Sequence, residues 1–272
     1  MARVKLDQIG PWTEVKLDIV RKYASAYTQV MKSFPSIKRY IYIDAFAGAG
    51  THISKQTGEM VLGSPLNALY VQPPFHEFHF IDLDGGKAER LRKMTAGRPE
   101  VHVYEQDCND VLLDTVFPLA RYTDFRRALC LLDPYALNLK WEVIRAAGQS
   151  KSIEIFLNFM VMDINMNVLK HDRSKVRTDQ EDRLTGLWGD ESWQDFAYSK
   201  TPGLFGEVEE KNTNEALAAA FRDRLKKVAG FQFVPEPLPM KNSSGAVIYY
   251  LYFASPNRTG EKIVKDIFGK YR

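Results

Sequence analysis

The chain has 272 residues, 45% hydrophobic and 26% charged, with a formal net charge of +3 and a pI of about 8.6. That balance suits a globular protein with a sizeable core, and no apolar run is long enough to span a membrane. The mild basicity admits an anionic partner such as nucleic acid without demanding one.

The N-terminal residues Met1–Asp7 lack the apolar core of a signal peptide. Trp12, Val15, Ile19, Tyr23, Tyr27, Val30, Met31 and Phe34 recur at three- and four-residue steps, which predicts a helix over 12–34. Thr13 is its expected N-cap and Pro35 its stop. Residues 39–45 read as a first strand, and the polar, glycine-containing stretch 51–62 as a loop. Ser64-Pro65 opens a short helix. Phe78–Asp82 reads as a second strand, with Asp84 capping a helix over 85–94. Val101–Tyr104, Ala128–Leu132 and Ser152–Phe159 follow as strands, separated by helices over 109–119 and 141–147. This alternation predicts a doubly wound α/β fold.

The alternation breaks near Met160. Residues 163–211 are more polar and read as an insertion over the carboxyl edge of the sheet within a single domain spanning 1–272. Trp188 and Trp193 are expected to form the insertion's own small core. A helix capped by Asn214 comes next, and strands at 231–234 and 246–253 close the chain.

The first-strand loop, Asp44-Ala45-Phe46-Ala47-Gly48-Ala49-Gly50-Thr51, is the sharpest functional signal. Glycines let a backbone approach a ligand, and open α/β sheets bind ligands outside the carboxyl ends of strands. A phosphate loop would need Lys-Ser/Thr after the last glycine, and Thr51-His52 stands there. A dinucleotide fingerprint would need a third small residue where Ile53 stands. Asp44 at the mouth would suit a cationic group such as the amino group of S-adenosylmethionine (SAM).

Acids follow each of the first four strands: Asp44, Asp82, Asp107 and Asp133. Asp82 reads as an acceptor for ribose hydroxyls, and Asp107 with the Cys108 amide as an adenine reader. Each acid could instead cap the next helix. Lys16 either reaches a cofactor carboxylate or lies on a solvated helix face. Asp133-Pro134-Tyr135 can accept the two N–H bonds of an exocyclic amine and stack a base on Tyr135; it also reads as a rigid turn. Arg173, Lys175 and Arg177 either track a phosphate backbone or form a solvated loop. Cys130 reads as core. The two cysteines lack metal-ligand spacing, so no metal is expected, and a reduced, cytoplasmic protein is.

These loops resemble those of class I SAM-dependent methyltransferases. More closely, the chain resembles the three-Cys-motif partner protein (TcmP) family. The matching pieces are Gly10-Pro11-Trp12-Thr13 with Lys16-Leu17, Tyr42–Gly50, Gly63-Ser64-Pro65-Leu66, Leu157-Asn158-Phe159, Leu187–Glu191 and Tyr249–Ser255. The resemblance implies a mostly parallel, seven-stranded Rossmann-like sheet preceded by a helix. It implies SAM as cofactor, bound by Lys16, Asp44, Phe46, Gly48, Gly50, Asp82, Asp107, Cys108 and Asp133. It also implies a separate three-Cys-motif partner that looks like a radical-SAM enzyme. A looser similarity is to bacterial ribosomal-RNA adenine-N6 methyltransferases, whose fourth-strand motif is usually Asp-Pro-Pro-Tyr; this chain is one proline short. Methyl transfer to a nucleic-acid base amine is therefore expected. The rivals are a small-molecule or protein methyltransferase and a non-catalytic partner subunit.

Overall fold

Strands buried on both faces are apolar nearly throughout, and β-branched and aromatic side chains fit them best. The computed structural model describes residues 6–170, 176–203 and 206–272. In chain order its strands are β1 (Gln8–Ile9), β2 (Arg39–Asp44), β3 (Thr51–Ser54), β4 (Met60–Leu62), β5 (Glu77–Ile81), β6 (Val101–Tyr104), β7 (Arg126–Leu132), β8 (Ile153–Phe159), β9 (Tyr198–Gly203), β10 (Gly206–Lys211), β11 (Leu238–Lys241) and β12 (Val247–Ala254). Seven of them form one sheet in the order β11-β12-β8-β7-β2-β5-β6. β6, β5, β2, β7 and β8 are parallel; at one edge β12 runs antiparallel to β8, and β11 antiparallel to β12. The fold is the doubly wound, mostly parallel seven-stranded α/β sheet expected from the sequence.

The chain leaves β2 outward through β5 and β6, then crosses back to β7 and β8. The order reverses between β2 and β7, where α/β sheets open a crevice for ligands. Register fixes what meets there. Asp44 lies opposite both Phe80 and Leu131, so Asp82 and Asp133 emerge from the same edge. The Ala45 and Ala47 N–H groups continue the pairing to the Leu131 and Ile81 carbonyls, at 3.0 and 2.9 Å.

Alternate residues face two cores. Ile41 and Ile43 point to the side covered by the helices Trp141–Ser150, Thr178–Trp188 and Asn214–Lys227. Tyr40 and Tyr42 point to the other, covered by α1 (Pro11–Ser33) and the helix Arg258–Phe268.

Several local expectations need correction. α1 is capped by Gly10 rather than Thr13, because Pro11 at the first helical position lacks an N–H and presets φ. Residues 51–62 contain the hairpin β3–β4, and β1 pairs parallel with β3; such short strands exist only through that partner. The helix over 214–227 is capped by Thr213, whose hydroxyl accepts the Ala216 N–H at 3.2 Å. The strand near 231–234 is reduced to one bridge, Phe233 to Ser255. The real strand, β11, lies past two prolines and tolerates Pro239 as an edge strand. The helix Arg258–Phe268 was not anticipated; it packs against α1 and is capped by Asn257.

The inserted segment forms the helices Val161–Asn167, Thr178–Trp188 and Trp193–Ala197, then the hairpin β9–β10. Trp188 and Trp193 do not make a separate core. They are fully buried in the main one, with the Trp188 ring 5.5 Å from Phe221. Arg173 and Lys175 lie outside the described residues.

Candidate functional site

A cavity of about 1500 Å³ opens along the carboxyl edge of the parallel strands. Its walls come from the loops after β2, β5, β6 and β7, from α1, and from the inserted helices through Asp163, Met166 and Arg183. The volume exceeds the usual range of about 300–1,000 Å³ for a single small-molecule pocket. It has room for a nucleoside-sized ligand and part of a second molecule.

At one end, carboxylates are fixed by backbone N–H groups. The Gly48 N–H donates to Asp82 Oδ2 at 2.7 Å, and the Asp84 N–H to Asp82 Oδ1 at 2.8 Å. Gly48 adopts φ +64°, a left-handed conformation that glycine tolerates best. Asp82 lines the cavity half-buried, and each of its oxygens keeps a lone pair for a donor. Asp84 caps its helix through the Lys87 N–H at 3.0 Å. Asp107 also caps, accepting the Asn109 N–H at 2.7 Å, yet it remains exposed on the cavity wall. Phe46, Leu83, Cys108 and Leu137 supply apolar wall beside these acids. Burial, reinforced by the Asp107 charge, pushes the Cys108 thiol up to about 12, so Cys108 acts as a small apolar residue rather than a nucleophile.

Two residues expected in the site lie behind it. Asp44 is fully buried below the cavity floor rather than at its mouth. Burial raises its carboxyl to about 7, with the Asp133 charge adding, while the Ser64 hydroxyl, Phe46 N–H and Lys16 act against the rise. Gly50 does not line the cavity either. It adopts φ +78°, and a Cβ there would come within 3.0 Å of Leu91. Glycine is therefore required at this position for the turn and for helix packing.

The other end is built from side chains that are distant in sequence. Asp133 accepts the Lys16 ammonium on Oδ2 and the Asn158 amide on Oδ1. The Lys16 side chain is only 6% exposed, which removes the solvated-face alternative, and its partner here is the Asp133 carboxylate. α1 turns it inward, with its ammonium 5.9 Å from the centre of the Tyr249 ring. Losing hydration makes a buried ammonium costly unless it is paired, and Asp133 is the partner. Pro134 is buried, and Tyr135 stands 85% exposed at the cavity rim.

Of eight buried side-chain atoms without a hydrogen-bond partner among the described residues, three, Asn158 Oδ1, Asp163 Oδ2 and His52 Nδ1, belong to residues that line the cavity. Unpaired buried polar atoms are rare and costly. Within the cavity, Asn158 Oδ1 beside Asp133 is free to accept from a polar ligand. Asn158 was not singled out as a site residue, although a lone amide in the apolar run Ile155–Phe159 was a readable signal. Asp163 and His52 carried none.

Of the basic run, only Arg177 is described. It is exposed and binds Asp179 through two nitrogens, at 2.8 and 3.0 Å.

No family model matches the chain, and no curated protein matches it in sequence. Among solved structures, protein LPL1258 from Legionella pneumophila is similar in fold. It superimposes with a TM-score of 0.50 at 10% identity, over 94% of this chain and 91% of that one. A putative methyltransferase from Thermobifida fusca gives a TM-score of 0.41 at 13% identity, over 90% and 83%. The putative methyltransferase yhhF from Escherichia coli gives 0.35 at 12%, over 87% of each chain. At these identities the likeness is one of fold.

The residues around the cavity fit the nucleoside part of a cofactor. Asp82 offers acceptors for a vicinal diol, Asp107 an acceptor for an amino edge, and the wall between them is apolar. No helix among the described residues is long and apolar enough to cross a membrane.

Proposed function

We propose that the chain is a SAM-dependent methyltransferase acting on an exocyclic amine of a nucleic-acid base. The observation that carries this reading is the acceptor group at the strand-order reversal. Asp133 is held by Lys16 and Asn158, the unpartnered Asn158 Oδ1 belongs to the same group, and Tyr135 stands at the rim. Bound SAM supplies an electrophilic methyl group. Asp82 accepts its ribose hydroxyls, Asp107 its adenine amine, and Gly48 keeps the loop close to it. The Asp133 carboxylate and the Pro134 carbonyl accept the N–H bonds of the target amine, with Asn158 Oδ1 as a further acceptor. Tyr135 stacks on the base, a contact worth about 1–3 kcal/mol. The base must leave its helical stack to enter. Catalysis is then chiefly the positioning of amine and methyl donor. Arg173, Lys175 and Arg177, together with Lys140 and Arg183 on the cavity wall, hold the phosphate backbone. The resemblance to the TcmP family supports a three-Cys-motif protein as functional partner.

The test is transfer of tritiated methyl from SAM into the DNA, RNA and protein fractions of a lysate, with and without that partner. Label in nucleic acid that disappears in Asp133→Ala is the expected result. Label confined to protein or small molecules overturns the target, and no label at all overturns the enzyme.

One observation favours a second reading, a non-catalytic SAM-binding subunit. Lys16 already neutralises Asp133, and its charge opposes the positive charge that develops on a methylated amine. SAM binding without transfer, by the chain alone or with its partner, would select this alternative.

A further inference from the structure

Glu77 opens β5, whereas Asp82 follows its end, roughly 16 Å away at ~3.3 Å per residue. Near the amino ends of β5 and β6, on the face away from α1, a second group of polar side chains is gathered. Strand periodicity puts Glu77 and His79 on one face of β5, and the register places His102 of β6 directly beside His79. Glu77 Oε1 lies 3.0 Å from His79 Nε2 and 3.6 Å from His102 Nε2. One ligand atom from each of the three residues falls within 4.8 Å of the others. In a tetrahedral zinc site with bonds of about 2.0–2.1 Å, neighbouring ligand atoms stand roughly 3.4 Å apart. Two of the three separations already bracket that value.

We propose that Glu77 Oε1, His79 Nε2 and His102 Nε2 form a three-ligand site for a divalent cation of the zinc class, with water as fourth ligand. The two-nitrogen, one-oxygen donor set suits zinc, cobalt or nickel and disfavours magnesium or calcium. The surroundings are organised for it. His79 is 1% exposed, and its Nδ1 lies 3.0 Å from the Tyr104 hydroxyl. In the metal-free chain the Nε2–H can donate to Glu77; with a metal on Nε2 the ring proton would stand on Nδ1 and face the Tyr104 hydroxyl, the second partner that metal-binding histidines commonly have. Arg39 approaches the second carboxylate oxygen, Oε2, at 3.5 Å and leaves Oε1 to the metal. His102 is 43% exposed and can turn its ring to close the third separation, leaving the fourth position open to water. Binding replaces the His79–Glu77 hydrogen bond with two metal–ligand bonds. It would clip the short edge strand β6 to β5, independently of any methyl transfer. Spacing along the chain shows no metal motif here; only the register creates one.

The test titrates the untagged, chelator-stripped full chain with Co²⁺ and then Zn²⁺. Expected is one equivalent of Co²⁺ with the intense visible bands of a tetrahedral site, displaced by Zn²⁺. His102→Ala and Glu77→Gln should each weaken binding by about tenfold or more, and Tyr104→Phe by about tenfold. Asp82→Ala, in the distant cavity, should leave binding unchanged. Because His102 is partly exposed, its variant should keep the wild-type circular dichroism. Absence of saturable Co²⁺ binding at micromolar metal overturns the site, as does wild-type affinity in His102→Ala.

Discussion

The two ends of the cavity are assembled in different ways. At the end formed by Asp82, Asp84 and Asp107, each acid follows its strand closely and accepts a backbone N–H only two or three residues away, Asp82 accepting a second from Gly48. At the end formed by Asp133, Lys16 and Asn158, side chains hold one another, and Lys16 lies 117 residues from Asp133. The first end is organised by turns and helix starts. The second exists only because α1 crosses the sheet at the strand-order reversal. Loop chemistry can therefore build one end of the cavity locally, while the Asp133 group depends on the whole fold.

The sharpest way to break this contrast is Asp133→Ala. Turnover should fall by about 10³-fold or more, in line with the loss of a positioning and charge-stabilising group. SAM affinity measured by titration calorimetry should stay within about threefold. Loss of both together would mean that the two ends are one unit. The converse variant, Asp82→Ala, removes charge-assisted bonds of about 1.5–3 kcal/mol each. SAM affinity should weaken by about 100-fold while turnover at saturating SAM changes little.

A third test concerns the support beneath the acceptor end. Glu154 on β8 is wholly buried, accepts Tyr23 of α1 and Ser255, and is raised by burial from 4.5 to about 7. A carboxyl whose folded pKa is raised makes the native state bind more protons than the unfolded chain between roughly pH 4.5 and 7. Its contribution to stability therefore falls as pH rises through that window and levels off above it. Asp44 contributes with the same sign. Glu154→Gln should stabilise the protein by about 1–2 kcal/mol at pH 8 and hardly at all at pH 4.5. Urea denaturation at the two pH values decides. Equal effects at both would show that Glu154 does not titrate in this window.

The smallest effects belong to the basic run. Arg177→Ala should change stability by no more than about 0.5 kcal/mol, because its pair with Asp179 is exposed. Neutralising Arg173, Lys175 and Arg177 together should lower the salt slope of nucleic-acid affinity by about two and leave SAM affinity unchanged. An unchanged slope would move the phosphate contacts elsewhere, with Lys140 and Arg183 the next candidates.

By itself the sequence determined the alternation of strands and helices, the glycine loop and an acid near the end of each of the first four strands. These are local properties, set by side-chain periodicity and turn chemistry within a few residues, and they survive translation into structure. Tertiary structure alone decided which of those acids face the cavity. Asp44 and Asp82 both follow apolar runs, yet the last residue of β2 points into the floor and the first residue after β5 points into the space. It also decided that Lys16 pairs with Asp133, that Asn158 shares that group, and that β1 and β3 are strands at all. The same holds for His79 and His102, 23 residues apart and neighbours only through the β5–β6 register. Pairing across a sheet depends on strand order and register, which a single chain's local pattern does not encode.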